Sequence, residues 1–238
     1  MEISVLYEDN HLLLIEKPMN IPVQKDITGD QDLLTMLKHD LKMKYKKPGN
    51  VFLGLVHRLD RPVGGVMVFA KTSKSASRLS DAVRRQAIDR KYLAVIRGVP
   101  DEDEAVLVHY LTKNDRENTV YTVPSYHKKG KKAVLEYKVI HKLKELSLLS
   151  VKLYTGRPHQ IRVQLAAIGC PLYGDQKYGA WINQPGQQIA LWAHSLKFEH
   201  PTKKEMIGAE SFPPLKYPWD LFKLSSTEKA MKFHNYKL

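Results

Sequence analysis

A carboxylate between two arginines is the first feature of this sequence that suggests chemistry. Asp60 lies between Arg58 and Arg61 in residues 57–65 (HRLDRPVGG), which join two apolar stretches. Neighbouring cations favour the ionised form of a carboxyl group, and an ionised carboxylate can act as a nucleophile at neutral pH. The alternative is a turn held by a surface ion pair, which adds little stability. The segment therefore predicts either a catalytic carboxylate or a polar turn.

A tyrosine within an apolar stretch is the second candidate. Residues 90–95 (RKYLAV) have the composition of a strand, in which Tyr92 and Ala94 share one face. A tyrosine in such a position usually belongs to a core or an interface. In a nucleotide pocket the same side chain stacks on a base or transfers a proton through its hydroxyl group.

A basic turn that leads into a helix is the third candidate. Residues 153–162 (LYTGRPHQIR) read as a strand end, a glycine turn and the first turn of a helix. Free N–H groups at a helix start attract anions, and Arg157, His159 and Arg162 lie beside them. The segment therefore predicts an anion site, and the alternative is a capped helix with solvated charges.

The elements that must position these residues follow from hydrophobic periodicity and turn chemistry. Strands are predicted at residues 3–7, 11–15, 51–56, 66–71, 91–97, 105–112, 133–140, 146–154 and 188–198. Helices are predicted after Asp32, after Thr72 or Ser73 as far as about residue 86, and from Pro158 to Ile168 with Gly169 as the stop. This order favours an α+β fold with a mixed, mostly antiparallel central sheet flanked by helices and loops.

Charge gives a hint about the partner. The 238 residues contain 38 Lys and Arg against 25 Asp and Glu, which gives a net charge of +13. So basic a surface attracts polyanions such as nucleic acid, although an inert basic surface has the same composition. Two lysine groups stand out, at residues 42–47 and at residues 128–132, where Gly130 suggests a hairpin tip.

Several classes of protein and site are excluded or disfavoured. Cys170 is the single cysteine, so internal disulfides and multi-cysteine zinc sites are excluded. No P-loop, GxGxxG or HExxH motif occurs, and the ten histidines lack metal-ligand spacing, so we expect no metal site. The first ten residues do not form a secretory signal, and no apolar run is long enough to span a bilayer. We expect a cytoplasmic protein without a membrane partner.

Taken together and in this order, the three segments resemble the RluA-type pseudouridine synthases. Their HRLDxxxxGhhhhAK motif (h, apolar) matches residues 57–71, their K-x-Y-x-A strand matches residues 91–94 closely though not perfectly, and their TGRxHQIR motif matches residues 155–162. The resemblance spans about residues 3–215 and includes Glu16-Lys17-Pro18 and residues 171–175 (PLYGD). One departure is residues 62–65 (PVGG), where the family commonly has Asp-Thr-Ser-Gly.

The resemblance implies the fold and the reaction. The fold would be the pseudouridine synthase catalytic fold, with an active-site cleft across the sheet. The reaction would be isomerisation of uridine to pseudouridine within RNA, without a cofactor. Asp60 matches the catalytic aspartate, which either adds to C1′ or removes a 2′ proton. Arg162 matches the arginine that pairs with it, and Tyr92 would stack on the uracil and help to remove the C5 proton.

RNA contacts and domain organisation complete the expectation. The target uridine must flip out of its stack, and His57 and Arg58 are candidates to fill the space. The residues predicted to bind RNA are His57, Arg58, Arg61, Arg157, His159, Gln160, Lys128, Lys129, Lys131 and Lys132. The RNA would be ribosomal or transfer RNA. We expect a monomer with one catalytic domain over residues 1–238, a tail at 216–238 that is a docking helix or a loose appendage, and no accessory RNA-binding domain before it.

Two other functions fit parts of the pattern. One is a catalytically silent RNA-binding protein of the same fold, for which Asp60 and Tyr92 are dispensable. The other is a glycosidase or nucleosidase that acts on small molecules and uses Asp60 with another carboxylate. The net charge of +13 disfavours a small neutral substrate.

Overall fold

The structure is a computed structural model that describes residues 2–222 and 224. The chain separates into two compact units. The first contains the described residues of Met1–Arg90 and Ala193–Phe212, and the second contains those of Lys91–Trp192 and Pro213–Leu238.

Within the described residues the chain forms eleven strands, three α-helices and one short 3₁₀-helix. In chain order they are β1 (Val5–Glu8), β2 (Leu12–Lys17), α1 (Leu33–Lys44), β3 (Gly54–Leu55), β4 (Gly64–Ala70), α2 (Ser73–Arg84), β5 (Asp89–Arg97), β6 (Glu104–Asn114), β7 (Thr119–Val123), β8 (Lys131–Lys142), β9 (Leu146–Leu153), α3 (Gln160–Ala167), β10 (Leu191–Glu199), β11 (Met206–Glu210) and the 3₁₀-helix Trp219–Leu221.

The first unit is built on β4, whose residues are all buried. β4 lies between β2 and β10, while β1 pairs with β2, β3 with β4, and β11 with β10. The last glycine of residues 62–65 (PVGG) is required by the packing of the strands. Gly65 has a φ of +115°, and a Cβ atom there would lie 2.2 Å from the carbonyl oxygen of Ala193. Only glycine fits this close approach between strands.

The second unit contains an antiparallel sheet in the order β5-β9-β8-β6-β7. Helix α3 packs against one face of this sheet. The buried cluster between them consists of Leu111, Val120, Ala133, Val163 and Tyr178. The helix that carries Arg162 is therefore fixed to the sheet by apolar contacts, each of which stabilises the fold in proportion to the area buried.

Most predicted elements are present. The N-caps of α1 and α2 are Asp32 and Thr72, whose side chains accept hydrogen bonds from the N–H groups of Thr35 and Ser75. Gly169 follows α3 with a φ of +77°. The α+β class and the predominance of antiparallel pairing are confirmed. No helix among the described residues is long and apolar enough to cross a membrane.

Three predictions of local structure need correction, and two strands lack a prediction. Gly130 is not a hairpin tip, because β7 and β8 pair with opposite sides of β6 and residues 124–130 cross between them. The strand predicted at 51–56 contains only Gly54–Leu55, and α3 begins at Gln160 and not at Pro158. Strands β7 and β11 were not predicted.

The predicted tail is only partly described. A 3₁₀-helix covers Trp219–Leu221, and the side chains of Trp219 and Phe222 are buried. Phe222 packs edge-on against His141 of β8, with ring centroids 5.7 Å apart. The start of the tail therefore docks on the second unit, while residues 223 and 225–238 lie outside the described residues.

Candidate active site

Asp60 lies on the tight connection between β3 and β4 in the first unit. The N–H group of Val63 donates to the carbonyl oxygen of Asp60 at 3.0 Å, which closes a turn around Arg61 and Pro62. Leu59 and Val63 are buried on either side of it. These apolar anchors hold the turn in place and leave the Asp60 side chain half-buried.

A buried lysine supports this turn from beneath. The side chain of Lys17 is fully buried, and its Nζ donates to the carbonyl oxygens of Pro18 at 2.9 Å, Arg61 at 3.0 Å and Val63 at 2.8 Å. Three acceptors match the three N–H groups of an ammonium ion. Burial lowers the pKa of Lys17 to about 7, the negative charge of Asp60 opposes this fall, and Arg61 adds to it.

Lys17 is a functional residue that the sequence analysis missed. It was noted only as part of the Glu16-Lys17-Pro18 match. The available signal was a lysine two residues after Ile15, where strand alternation places it on the same face as that apolar residue, an unusual place for a charge. The structure explains it as the group that ties β2 to the backbone around Asp60.

We expect Lys17→Met to destabilise the protein and to reduce turnover. The thioether fills much of the same space but leaves three carbonyl oxygens without their donor, which costs about 2 kcal/mol or more in unfolding free energy. Urea unfolding and initial rates at a temperature where both proteins are folded would measure this. Lys25→Met, at an exposed lysine in the following loop, is the control. Wild-type stability and rate in Lys17→Met would contradict the assigned role.

The side chain of Arg61 forms hydrogen bonds within the protein. Its guanidinium group donates to the carbonyl oxygen of Asn20 at 3.2 Å, to Thr28 Oγ1 at 3.1 Å and to the carboxylate of Asp30. The Oδ2 atom of Asp26 lies 3.9 Å from Nη1 of Arg61. The predicted RNA-binding side chain thus fastens the loop between β2 and α1 beside Asp60. Arg58, in contrast, points into solvent.

His57 is likewise used within the protein. Its Nε2 atom accepts a hydrogen bond from the N–H group of Val68 in β4 at 3.1 Å. Burial, with a contribution from the charge of Arg90, lowers its pKa to about 3. The ring is therefore neutral at pH 7 and holds the start of the Asp60 loop against β4.

We expect stability to fall as the pH drops below about 6.5, the ordinary histidine value. Since the pKa of His57 is lower in the folded protein, the unfolded chain takes up the proton first and is favoured in acid. His109 contributes with the same sign, and so does Lys17 above its folded pKa of about 7, where its contribution is the same in the wild type and in the variant. Above pH 4.5, the ordinary pKa of glutamate, most carboxyl groups are ionised in both the folded and the unfolded state, so they contribute little to the change in stability. Thermal unfolding from pH 8 to pH 5 should show a shallower decline for His57→Gln than for the wild type, and an unchanged slope would contradict this.

Arg162, in the second unit, forms a buried ion pair. From α3, its Nε and Nη2 atoms each lie 2.8 Å from a carboxylate oxygen of Asp175. Its guanidinium carbon is 5.2 Å from the ring centroid of Tyr178. Burial alone would raise the pKa of Asp175, but Arg162 and the N–H groups of Lys177 and Tyr178 outweigh it and lower that pKa.

The turn before α3 is held by Gln160. Its Oε1 atom accepts from Thr155 Oγ1 at 2.8 Å and from the N–H group of Arg157 at 2.9 Å, and its Nε2 atom donates to the carbonyl oxygen of Val134 at 3.1 Å. The side chain is buried and its amide is used on both sides. Gln160 therefore has the contacts of a positioning residue and not those of a surface group that binds RNA.

His159 adopts an uncommon backbone conformation at the start of this helix. Its φ is +51°, in the left-handed region that non-glycine residues seldom occupy. Its Nδ1 atom is 2.7 Å from the hydroxyl group of Tyr178, which also accepts from the N–H group of Val120 at 2.8 Å. This strained turn is therefore tied to β7 and to the Tyr178 ring that contacts Arg162.

The remaining predicted residues also belong to the second unit. Tyr92 is buried in β5 and lies opposite Val151 of β9. Arg157 donates through Nε to the carbonyl oxygen of Lys132 at 3.0 Å, so the turn before α3 contacts the start of β8. The predicted RNA-binding lysines are all exposed, namely Lys128, Lys129, Lys131 and Lys132. The predicted catalytic groups are thus divided, with Asp60 in the first unit and the other two in the second.

Comparisons with known proteins agree with these motifs. A family model described as RNA pseudouridylate synthase matches residues 11–167. The chain is 32% identical over 211 residues to ribosomal large subunit pseudouridine synthase C of Buchnera aphidicola, covering 85% of this chain and 64% of that protein. It is 31% identical over 210 residues to an RNA pseudouridine synthase of Zymomonas mobilis, covering 88% of this chain and 93% of that protein.

A solved structure agrees in fold. Human RNA pseudouridylate synthase domain containing 4 superposes with a TM-score of 0.74 at 24% identity, over 89% of this chain and 88% of that one. The chain therefore belongs to the RNA pseudouridylate synthase family. The relative from Buchnera aphidicola supports the RluA-type group within that family, so the predicted family and enzyme class are confirmed.

Proposed function

We propose that this protein isomerises uridine to pseudouridine at specific positions of ribosomal or transfer RNA, with Asp60 as the catalytic carboxylate and no cofactor. The observation that carries the proposal is the Asp60 turn, fixed by a fully buried lysine that donates to three carbonyl oxygens. A buried charge is costly unless it is paired and hydrogen-bonded. Burial of a lysine that is hydrogen-bonded in this way is typical of a turn whose geometry must be maintained.

Each proposed catalytic group has a defined part in the reaction. The N1–C1′ bond of the uridine breaks and a C5–C1′ bond forms, while C5 loses a proton and N1 gains one. Asp60 either attacks C1′ or removes a 2′ proton. Tyr92 stacks on the uracil and helps to remove the C5 proton. Arg162 supplies the cation for Asp60, and Asp175 holds that cation in position.

The RNA contacts are revised in this proposal. Arg58 and the exposed lysines at 128–132 retain their predicted contacts with the RNA, and salt weakens binding to the extent that they neutralise phosphates. Arg58 is the stronger candidate to fill the space of the flipped base, because it is exposed whereas His57 is bonded to β4. We assign positioning roles to the five predicted residues that hydrogen-bond to the protein itself, namely His57, Arg61, Arg157, His159 and Gln160.

Both units are required in this proposal, because each supplies a catalytic group. The whole chain then acts as one catalytic domain, and we take the monomer as its working form. A ribosomal or transfer RNA substrate implies that the protein acts in the cytoplasm.

Tritium release tests the proposed reaction. Purified protein is incubated with ribosomal and transfer RNA transcripts that contain 5-³H-uridine, and in parallel with free 5-³H-uridine. Tritium release from at least one RNA but not from the free nucleoside is expected. Binding without release would favour a silent RNA-binding protein, and formation of 5-³H-uracil from the free nucleoside, detected by chromatography, would favour a nucleosidase. Either result would contradict the proposal.

A further inference from the structure

The connection between β7 and β8 has an ordered backbone. Within residues 124–132 (PSYHKKGKK), called the basic segment below, the N–H group of His127 donates to the carbonyl oxygen of Pro124 at 3.0 Å. The N–H group of Gly130 then donates to the carbonyl oxygen of His127 at 2.8 Å. Two successive turns therefore fix the backbone of this segment, so the backbone needs little further ordering when a ligand binds.

An aromatic ring projects from the basic segment into solvent. The side chain of Tyr126 is 86% exposed, and the lysines that follow it are exposed too. The lysines give the segment four positive charges, and it contains no acidic residue. Lysines alone suffice for contacts with phosphates. An aromatic ring beside them adds a group that stacks on the face of a base.

The basic segment leads into β8, which lies two strands from β5, the strand that carries Tyr92. Tyr92 is opposite Val151, which in turn is opposite Tyr137 of β8. Lys131 lies six residues from Tyr137 along the same strand, about 20 Å at the usual rise of a strand. The contact between Arg157 and the carbonyl oxygen of Lys132 joins the segment to the turn before α3.

We propose that the basic segment binds an unpaired nucleotide of the RNA substrate, with the ring of Tyr126 stacked on its base and the lysines on the adjoining phosphates. This inference rests on the proposed function, since it assumes an RNA substrate. A base within a duplex already stacks on its neighbours and does not offer its face, whereas a base in a loop does. The preferred substrate therefore places its target uridine near an unpaired loop.

Binding measurements test the stacking contact without requiring turnover. The probes are an RNA stem-loop with 2-aminopurine in its loop and a fully paired duplex of the same stem. We expect Tyr126→Ala to weaken binding of the stem-loop about tenfold or more, the scale of one base stacked on an aromatic ring. Affinity for the duplex and the salt dependence should not change. Quenching of the 2-aminopurine fluorescence should be lost.

Three further variants separate stacking from charge and from folding. Tyr126→Phe keeps the ring and should bind like the wild type. Tyr121→Ala removes a neighbouring exposed tyrosine whose hydroxyl group donates to Glu117, an anion that disfavours RNA, and should also bind like the wild type. The double variant Lys128→Gln, Lys129→Gln should reduce the slope of log affinity against log salt by about 1.4, as expected for two phosphate contacts on a single strand.

The inference would be overturned if Tyr126→Ala bound the stem-loop like the wild type, or if it weakened binding to the stem-loop and the duplex equally. Pseudouridine formation by the wild type is measured in parallel. A wild type that binds the stem-loop through Tyr126 but forms no pseudouridine would contradict the proposed function and leave the stacking site standing. An enzyme that forms pseudouridine and binds the stem-loop equally well after Tyr126→Ala would support the proposed function and contradict the stacking site.

Discussion

Asp60→Asn is expected to abolish pseudouridine formation while RNA binding is retained. The amide cannot act as a nucleophile toward C1′ or as a base toward the 2′ proton, so both routes fail. Loss of such a group lowers turnover by about 10⁴-fold or more. RNA affinity should stay close to that of the wild type, because the exposed cations of the two proteins are the same. Single-turnover assays and filter binding on one RNA would measure both quantities.

Folding must be measured alongside, because Asp60 lies near a buried cation. Its charge opposes the fall in the pKa of Lys17, so the amide leaves that lysine without its anion. Circular dichroism and thermal unfolding would establish that Asp60→Asn is folded at the assay temperature. Asp26→Asn changes an exposed carboxylate in the loop fastened by Arg61 and should retain activity. Appreciable product from folded Asp60→Asn would show that another group does the chemistry.

Asp175→Asn is expected to cost both stability and activity. Oδ2 of Asp175 accepts from Arg162 Nε, and Oδ1 accepts from Arg162 Nη2 and from the N–H group of Lys177. An amide nitrogen at the first position would place a donor against a donor and remove the negative charge of Asp175 beside a buried guanidinium group. Breaking a buried pair in this way costs about 3 kcal/mol in unfolding free energy, which lowers the melting temperature by about 6 to 12 °C.

The loss of turnover should exceed what unfolding explains. A displacement of a positioned group by about 1 Å can reduce a rate about 100-fold. The assay is therefore made well below the melting temperature of the variant. Asp81→Asn is the control, because Asp81 pairs with Arg84 and Arg85 on the exposed side of α2, where ion pairs add little. Wild-type melting and kcat in Asp175→Asn would show that Arg162 does not depend on this carboxylate.

The sequence predicts correctly those helices and strands that carry a strong local signal, such as a capping residue. Helices α1 and α2 begin after Asp32 and Thr72 because each side chain caps the first turn, a property visible in the sequence. Strand β11 alternates between exposed and half-buried residues, so it lacks the apolar content that marks a strand. Gly130 among lysines correctly indicated a turn, but turn chemistry cannot reveal that β7 and β8 both pair with β6.

The candidate catalytic residues could be predicted from the sequence, but the residues that hold them in position could not. The three motifs identified Asp60, Tyr92 and Arg162 as candidates, and these remain proposals. Lys17 is 43 residues from Asp60, and Asp175 is 13 residues from Arg162, so neither contact follows from local sequence. Conversely, Gln160 and Arg61 resembled surface groups suited to RNA, and only their hydrogen bonds show that the protein itself uses them.

Mapping of pseudouridine in cells is the decisive test of Asp60 as the catalytic carboxylate. RNA from a strain that lacks this protein is compared with RNA from the same strain supplied with the wild type or with Asp60→Asn. We expect that one or a few discrete positions in ribosomal or transfer RNA lose pseudouridine, regain it with the wild type and do not regain it with Asp60→Asn. Retention of every pseudouridine in the deletion strain, or restoration by Asp60→Asn, would contradict this expectation.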